Sequence, residues 1–353
     1  MAIKPLVINS KTIRLMKPVT GADYEGKTVL TNSAWEYVEL WLKRQNNAKA
    51  KRALYYWNQA KNFYNASECL PIESRPLTAY YCCLNATKAL LSIKGSEAID
   101  FDNLSHGITS FRKQWTTKNI KDAEVTFLAS GVLAELSKYL GEDTNKKPYR
   151  VYDLLYNIPC IHRTFSITYG CAELFIPIRD IVFLVDSDKK KGWVQFQVDE
   201  RYANGSSLRF LPNQYERVKY DDGSKKYLVR QKKRFAWDIH VDKKDQLKEL
   251  SKYHGKIRKD LHYIHGEMRL WYIKKEIPNN SHILKRNSLT LIFAVMHWLS
   301  ELVRYNPEKF TEVMETKQNW IIHEFIDNAL VQFIDEISCE MANVDIMPSG
   351  YRK

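Results

Sequence analysis

The sequence predicts an α+β protein that is mainly α. A helical bundle carries a β-rich insertion, and a C-terminal helical part packs back on the bundle. Three observations lead there. Apolar side chains recur at helical spacing over most of residues 32–145. Between about 163 and 240 the period shortens to two, with Val194, Phe196 and Val198 alternating with glutamines. Helical spacing returns from 243 onward. The expected organisation is an arm at 1–31, a bundle at 32–145, a β-rich insertion at 146–242 and a helical region at 243–353. A length of 353 residues suits two lobes, and 44% apolar with 27% charged residues is an ordinary globular composition.

The elements follow in order. Residues 1–31 read as an extended arm with turn residues. SAWEYVELWLKR and NAKAKRALYYWNQAKNFYNASECL read as two helices. SRPLTAYYCCLNATKALLSIKG is a third, with Pro76 in its first turn and Gly95 as its stop. FDNLSHGITSFRKQW is a loop entering a short helix, and AEVTFLASGVLAELSKYLGE is helical again. Pro148, Pro159 and Pro177 then punctuate the chain. LFIPIRDIVFLVD and KGWVQFQVDE read as strands, and Asp222-Gly223 between two strand-like runs marks a hairpin. DKKDQLKELSKYHGKIRKDLHYIH is helical and MRLWYIKK strand-like. SLTLIFAVMHWLSELVRY is an apolar helix ended by Asn306-Pro307, and NWIIHEFIDNALVQFIDEIS is the last helix.

The net charge of +13 favours acidic partners. Between Arg217 and Asp260 there are fifteen Lys/Arg and seven Asp/Glu, so +8 of that charge lies there. The run YLVRQKKRFAW interleaves cations with aromatics, which suits either a solvated face or a polyanion-binding surface. Lys225, Lys226, Arg230, Lys232, Lys233, Arg234 and Arg258 are the candidate nucleic-acid contacts. No apolar run reaches the length of a membrane span, and the start lacks a leader's apolar region. Six cysteines without a C-x-x-C suit free thiols in a reducing compartment, so the expected location is cytoplasmic. Walker A, G-x-G-x-x-G, H-E-x-x-H and G-x-S-x-G patterns are absent. No cofactor and no metal site is expected, since His262 and His265, three apart, lack an evident third ligand.

Candidate chemistry lies on two helices and a loop. Thr78, Tyr81, Asn85, Lys88 and Ser92 form one polar stripe on an otherwise apolar helix. The stripe is either a narrow solvent face or the wall of an internal cleft. On the late helix, His297, Ser300 or Glu301, and Arg304 share a face. Arg304 is placed either to cap the helix end or to clamp an anion; His297 either pairs with Glu301 or moves a proton. His106-Gly107 sits where backbone N–H groups could meet an anion, or is a plain turn. His106, His297 and Arg304 are thus the catalytic candidates, with Arg75, Tyr81, Asn85, Lys88 and Glu301 lining a pocket.

Four blocks, SRPLTAYYCCLNATKALLSIKG, LSHGITSF, LWYIKK and LSELVRYNPEKF, resemble in order those of YaaC-like proteins over about residues 30–330. The first half also resembles HEPN domains: a Tyr-Tyr helix ending in Leu-Leu, with a His-Gly loop behind it. That second resemblance implies RNA binding, or metal-independent RNA cleavage at a dimer interface, in stress or antiviral defence systems of bacteria. The HEPN pattern is an arginine followed by a histidine after four to six intervening residues. Arg258/His265 and Arg234/His240 have that spacing, and both lie outside the HEPN-like half. Three readings stay open: a nucleic-acid-associated protein, RNA ahead of DNA; a metal-independent endoribonuclease; and a non-catalytic subunit acting as a homodimer or with a protein partner.

Overall fold

In chain order the elements are β1 (Ile3–Pro5), β2 (Val7–Ile8), β3 (Lys11–Thr12), β4 (Val29–Leu30), α1 (Ala34–Gln45), α2 (Ala48–Glu68) and α3 (Arg75–Lys94). β5 (Ile108–Ser110), β6 (Glu124–Phe127), α4 (Val132–Tyr139), β7 (Lys147–Arg150), α5 (Val151–Tyr156) and α6 (His162–Tyr169) follow. The middle holds β8 (Phe175–Asp186), β9 (Lys191–Val198), the one-turn α7 (Gly205–Leu208), β10 (Tyr215–Arg217), β11 (Leu228–Gln231) and β12 (Phe235–Ala236). Next come α8 (Lys243–Ile257), β13 (Leu261–Ile264), β14 (Leu270–Lys274), α9 (Ser288–Tyr305), α10 (Pro307–Met314), α11 (Asn319–Ala342) and β15 (Ile346–Met347). This computed structural model describes residues 3–95, 99–101, 103–110, 119–218, 227–268 and 270–350.

The chain divides into two compact units. The first gathers residues 1–30, 174–280 and 343–353. Its centre is an antiparallel sheet with the strand order β10-β11-β9-β8-β14-β13, to which β1 adds on β8 and β12 on β9. Alternation places Ile176, Ile178, Phe183, Val194, Phe196 and Val229 in one apolar core with Leu250, Tyr253 and Ile257 of α8. The N-terminal stretch is woven into this sheet. Leu6 N–H donates to Phe183 O and Phe183 N–H to Ile13 O. Gly192 is required where it stands, because a Cβ there would lie 2.3 Å from the Phe235 ring. With the β9 ladder interrupted beside it, Val194 N–H donates to the Tyr253 hydroxyl at 3.0 Å.

The second unit holds residues 31–173 and 281–342. It is helical, with a three-stranded sheet β5-β6-β7. Ser33, Asn47 and Asn287 cap α1, α2 and α9 through their side-chain oxygens. α9 is buried along nearly its whole length, and Asn306-Pro307 ends it and starts α10. Two buried polar clusters tie α9 in place. Arg286 pairs with Glu142 at 3.2 Å, and Ser288 donates to Glu336 of α11 at 2.6 Å.

This architecture corrects the expected helical bundle with a β-rich insertion. The protein remains α+β, at about 47% helix and 19% strand, but a large antiparallel sheet with its own core and covering helix dominates one unit. Strands from the stretch expected to be a C-terminal helical part, β13, β14 and β15, belong to that unit. The physical reason lies in strand length. β1 to β4 and β15 span two or three residues each, too few alternations to register as a period. Three local readings also change, the first being LHYI, expected as the end of a helix and found as β13. AEVTF, expected helical, forms β6, and the His-Gly loop leads into β5 rather than directly into a helix. Asp222-Gly223 lies outside the described residues, although β10 and β11 on either side pair antiparallel.

Candidate functional site

α3 is built to accept neighbours on two sides. Ala79, Cys83, Ala86 and Thr87 keep its inner faces small, and all four are buried. Tyr80 meets α9, where its ring lies edge-on to Phe293 at 5.5 Å and to His297 at 5.0 Å. Tyr81, one residue on, turns to α2 and stacks on Phe63 at 5.3 Å.

The third component arrives on the His-Gly loop. Gly107 has φ +81° and Gly131 φ +118°, and their backbones touch so closely that a Cβ on Gly131 would lie 2.3 Å from Gly107. Val132 and Leu133, in the first turn of α4, donate to Ser105 O and His106 O. Those N–H groups are therefore engaged by the loop's own carbonyls. The result fixes His106, whose ring centroid lies 5.4 Å from Tyr80 and 5.9 Å from His297.

Four side chains thus converge: Tyr80, His106, His297 and Glu301. Tyr80 is 2% exposed and His297 4%, while His106 is exposed. Glu301 Oε2 stands 3.9 Å from His297 Nδ1. The Tyr80 hydroxyl, His297 Nδ1 and Glu301 Oε2 are all buried without a hydrogen-bond partner. Three such atoms side by side are costly to leave unpaired, and that cost marks the cluster.

The electrostatics favour neutral forms. Burial first, then His106, pushes His297 down to about 3. Although part of the ring is exposed, loss of water on the side packed against Tyr80 and His297, and then the positive Lys88, pull His106 below the usual imidazole value, with Glu301 opposing. Burial drives the Tyr80 phenol far up. At neutral pH the cluster holds two neutral imidazoles and an un-ionised phenol. His106 is the exposed member and Glu301 is partly exposed, while Tyr80 and His297 are buried.

The remaining candidates divide. Lys88 lies over the Tyr56 ring at 5.3 Å. Asn85 Nδ2 donates back to Tyr81 O at 2.8 Å, so its amide is turned onto its own helix. Arg75 bridges Glu68 at 2.6 Å and Asp327 at 2.5 Å. Arg304 is exposed, with its guanidinium over Tyr305 at 4.9 Å. It is not brought to the histidines. Tyr80 was missed by the polar-stripe reading because its hydroxyl sits on an otherwise apolar face.

In the first unit, Lys232 and Lys233 are exposed after β11. Arg230 donates to Glu216 at 2.8 Å, and the Arg234 guanidinium lies 4.6 Å from the Trp193 ring. Pairing of β12 with β9 sets Ala236 opposite Lys191, which brings the exposed Lys189, Lys190 and Lys191 of the β8–β9 turn to the same corner. Charge counting over 217–260 could not include them. Lys190 pairs with Asp238 at 2.8 Å. Lys225 and Lys226 lie outside the described residues. Arg258 is 3% exposed, and its guanidinium donates to Lys17 O at 3.1 Å and to Leu261 O. His265 lies in this unit as well, and His262 is buried edge-on to Phe175.

The family model of YaaC-like proteins matches residues 23–341. The chain belongs to the YaaC-like family. Comparison with curated proteins and with solved structures gives no match. The family match spans most of both units, including the Tyr80–His106–His297 cluster and the basic corner. No helix among the described residues is long and apolar enough to cross a membrane.

Proposed function

We propose that this YaaC-like protein binds nucleic acid, RNA ahead of DNA, through the basic corner of the first unit. The observation that carries the reading is Arg234 lying on Trp193 amid exposed lysines. Lysines engage phosphates as point charges, and the buried Trp193 ring seats the partly exposed Arg234 guanidinium as a planar phosphate donor beside them. The resemblance of the first half to HEPN domains supports RNA over DNA, in a stress or antiviral defence setting. Anisotropy titration of a labelled single-stranded RNA tests it. Affinity falls steeply with salt, each phosphate contact contributing about −0.7 to the log–log slope. Lys232→Glu with Lys233→Glu weakens binding and flattens that slope. No binding at about 50 mM salt removes the proposal.

A second reading, a metal-independent endoribonuclease, rests on the two imidazoles 5.9 Å apart. In that reading His106 takes the 2′-hydroxyl proton as that oxygen bonds to phosphorus, the bond from phosphorus to the 5′-oxygen breaks, and the proton returns to the departing 5′-oxygen, with the Tyr80 and His297 rings packed against His106. Labelled RNA incubated with chelator is then cut, and His106→Ala abolishes cutting. Intact RNA after incubation with the purified protein removes it.

A further inference from the structure

The first unit contains a cavity that neither reading uses. The β2–β3 hairpin turns on Asn9 and Ser10, at φ 48° and 61°, which suits a two-residue connection. From there Ile13 and Leu15 go into the apolar core, while Arg14 between them is exposed. Asp345 is held opposite. Its carboxyl oxygen accepts Lys17 N–H at 2.7 Å, and its carbonyl accepts Val29 N–H at 2.8 Å. Residues 10–16, Tyr24, Thr28 and Asp345 enclose about 490 Å³. That volume lies within the range of small-molecule sites.

The lining has a definite chemistry. Tyr24 is 3% exposed, and its hydroxyl is buried without a partner. Burial keeps that phenol protonated, so it is a standing donor. Among the described residues nothing pairs with the Arg14 guanidinium. Among the described residues Lys11 donates only to Gly26 O, at 3.1 Å, leaving two of its three ammonium protons. Ser10, Thr12 and Thr28 add hydroxyls. Two cations at an open lip fit a phosphate, and hydroxyls beside a buried phenol fit the hydroxyls of a sugar. We propose that this cavity binds a phosphorylated sugar, free or as the ribose phosphate of a mononucleotide.

Calorimetric titration of the full chain with ribose 5-phosphate, AMP, GMP, CMP, UMP and inorganic phosphate tests this. At least one sugar phosphate binds, and binds more tightly than inorganic phosphate. Arg14→Ala weakens it about 10- to 100-fold, as expected for a charge-assisted contact, and Tyr24→Phe about 3- to 10-fold. Tyr24→Phe leaves the unliganded melting temperature unchanged or raised, because it removes a buried unpaired hydroxyl. Lys232→Glu with Lys233→Glu leaves the affinity unchanged, which separates this site from the basic corner. The proposal is overturned if none of the six probes binds at about 5 mM. It is equally overturned if both lining variants bind as the parent does, or if phosphate alone binds as tightly as the sugar phosphates.

Discussion

Each unit buries a set of polar side chains beside aromatic rings, and the two sets are satisfied very differently. In the first unit, Arg258 donates to two backbone carbonyls and lies 5.0 Å from the Trp271 ring. Lys17 donates to Ile346 O at 2.7 Å and lies over Tyr263 at 5.0 Å. In the second unit, the Tyr80 hydroxyl, His297 Nδ1 and Glu301 Oε2 belong to adjacent side chains and are buried without a hydrogen-bond partner. Burial is common to both. Satisfaction is not, and it separates a polar group that holds the fold together from one left available for a ligand or a proton.

The largest effect that can break this contrast is on stability at Arg258. Arg258→Ala leaves the carbonyls of Lys17 and Leu261 without their donor and removes the guanidinium from between Tyr263 and Trp271. A loss of about 3 kcal/mol is expected, read from urea unfolding. An unchanged midpoint means the network holds nothing together.

The next effect is on acid stability. Burial holds His254 and His297 near 3, against an ordinary 6.5. The folded protein keeps both neutral, while the unfolded chain takes up protons below about 6.5. The stabilisation is therefore present above that pH and is lost as pH falls toward 3. Each histidine costs about 2 kcal/mol by pH 5. Burial also holds His262 well below the ordinary value, so urea midpoints at pH 7 and pH 5 measure the sum over three rings, and His297→Leu removes about a third of the difference. A pH-independent midpoint across that interval contradicts the burial of these rings.

How much of this was legible in the sequence follows from what periodicity can carry. α3, α8 and α9 announce themselves through spacing, Pro76, Gly95 and Asn306-Pro307, and β8 and β9 through alternation. The N-terminal stretch does not, although Leu6/Ile8 and Ile13/Leu15 each alternate, because single pairs are indistinguishable from chance. The helical stripe drew attention to Tyr81, yet Tyr80 meets the histidines. A helical wheel sorts residues by face and is silent on which neighbour each face receives. Arg258 shows the same limit: within a basic run it reads as solvent-facing, and only the β13–β14 hairpin supplies Tyr263 and Trp271 to bury it. Arg304 reads with His297 by spacing, but it is exposed and rests on Tyr305.

Smaller still is the effect of His297→Leu at neutral pH. The substitution replaces a buried imidazole that has an unpartnered nitrogen with an apolar side chain, and it leaves Glu301 without its neighbour. Removing a buried unpaired group gains roughly 1 kcal/mol, and imperfect filling of the site costs a comparable amount. The expected net change is within about 1 kcal/mol, a third or less of that at Arg258. Replacing both lysines of the basic corner, Lys232→Ser with Lys233→Ser, is smaller again, because both are exposed. Stability stays within about 0.5 kcal/mol, while the salt slope for RNA falls by about 1.4. A stability loss there comparable to that at Arg258 would show that the corner is part of the frame, and the division between satisfied and available groups would no longer separate structure from binding.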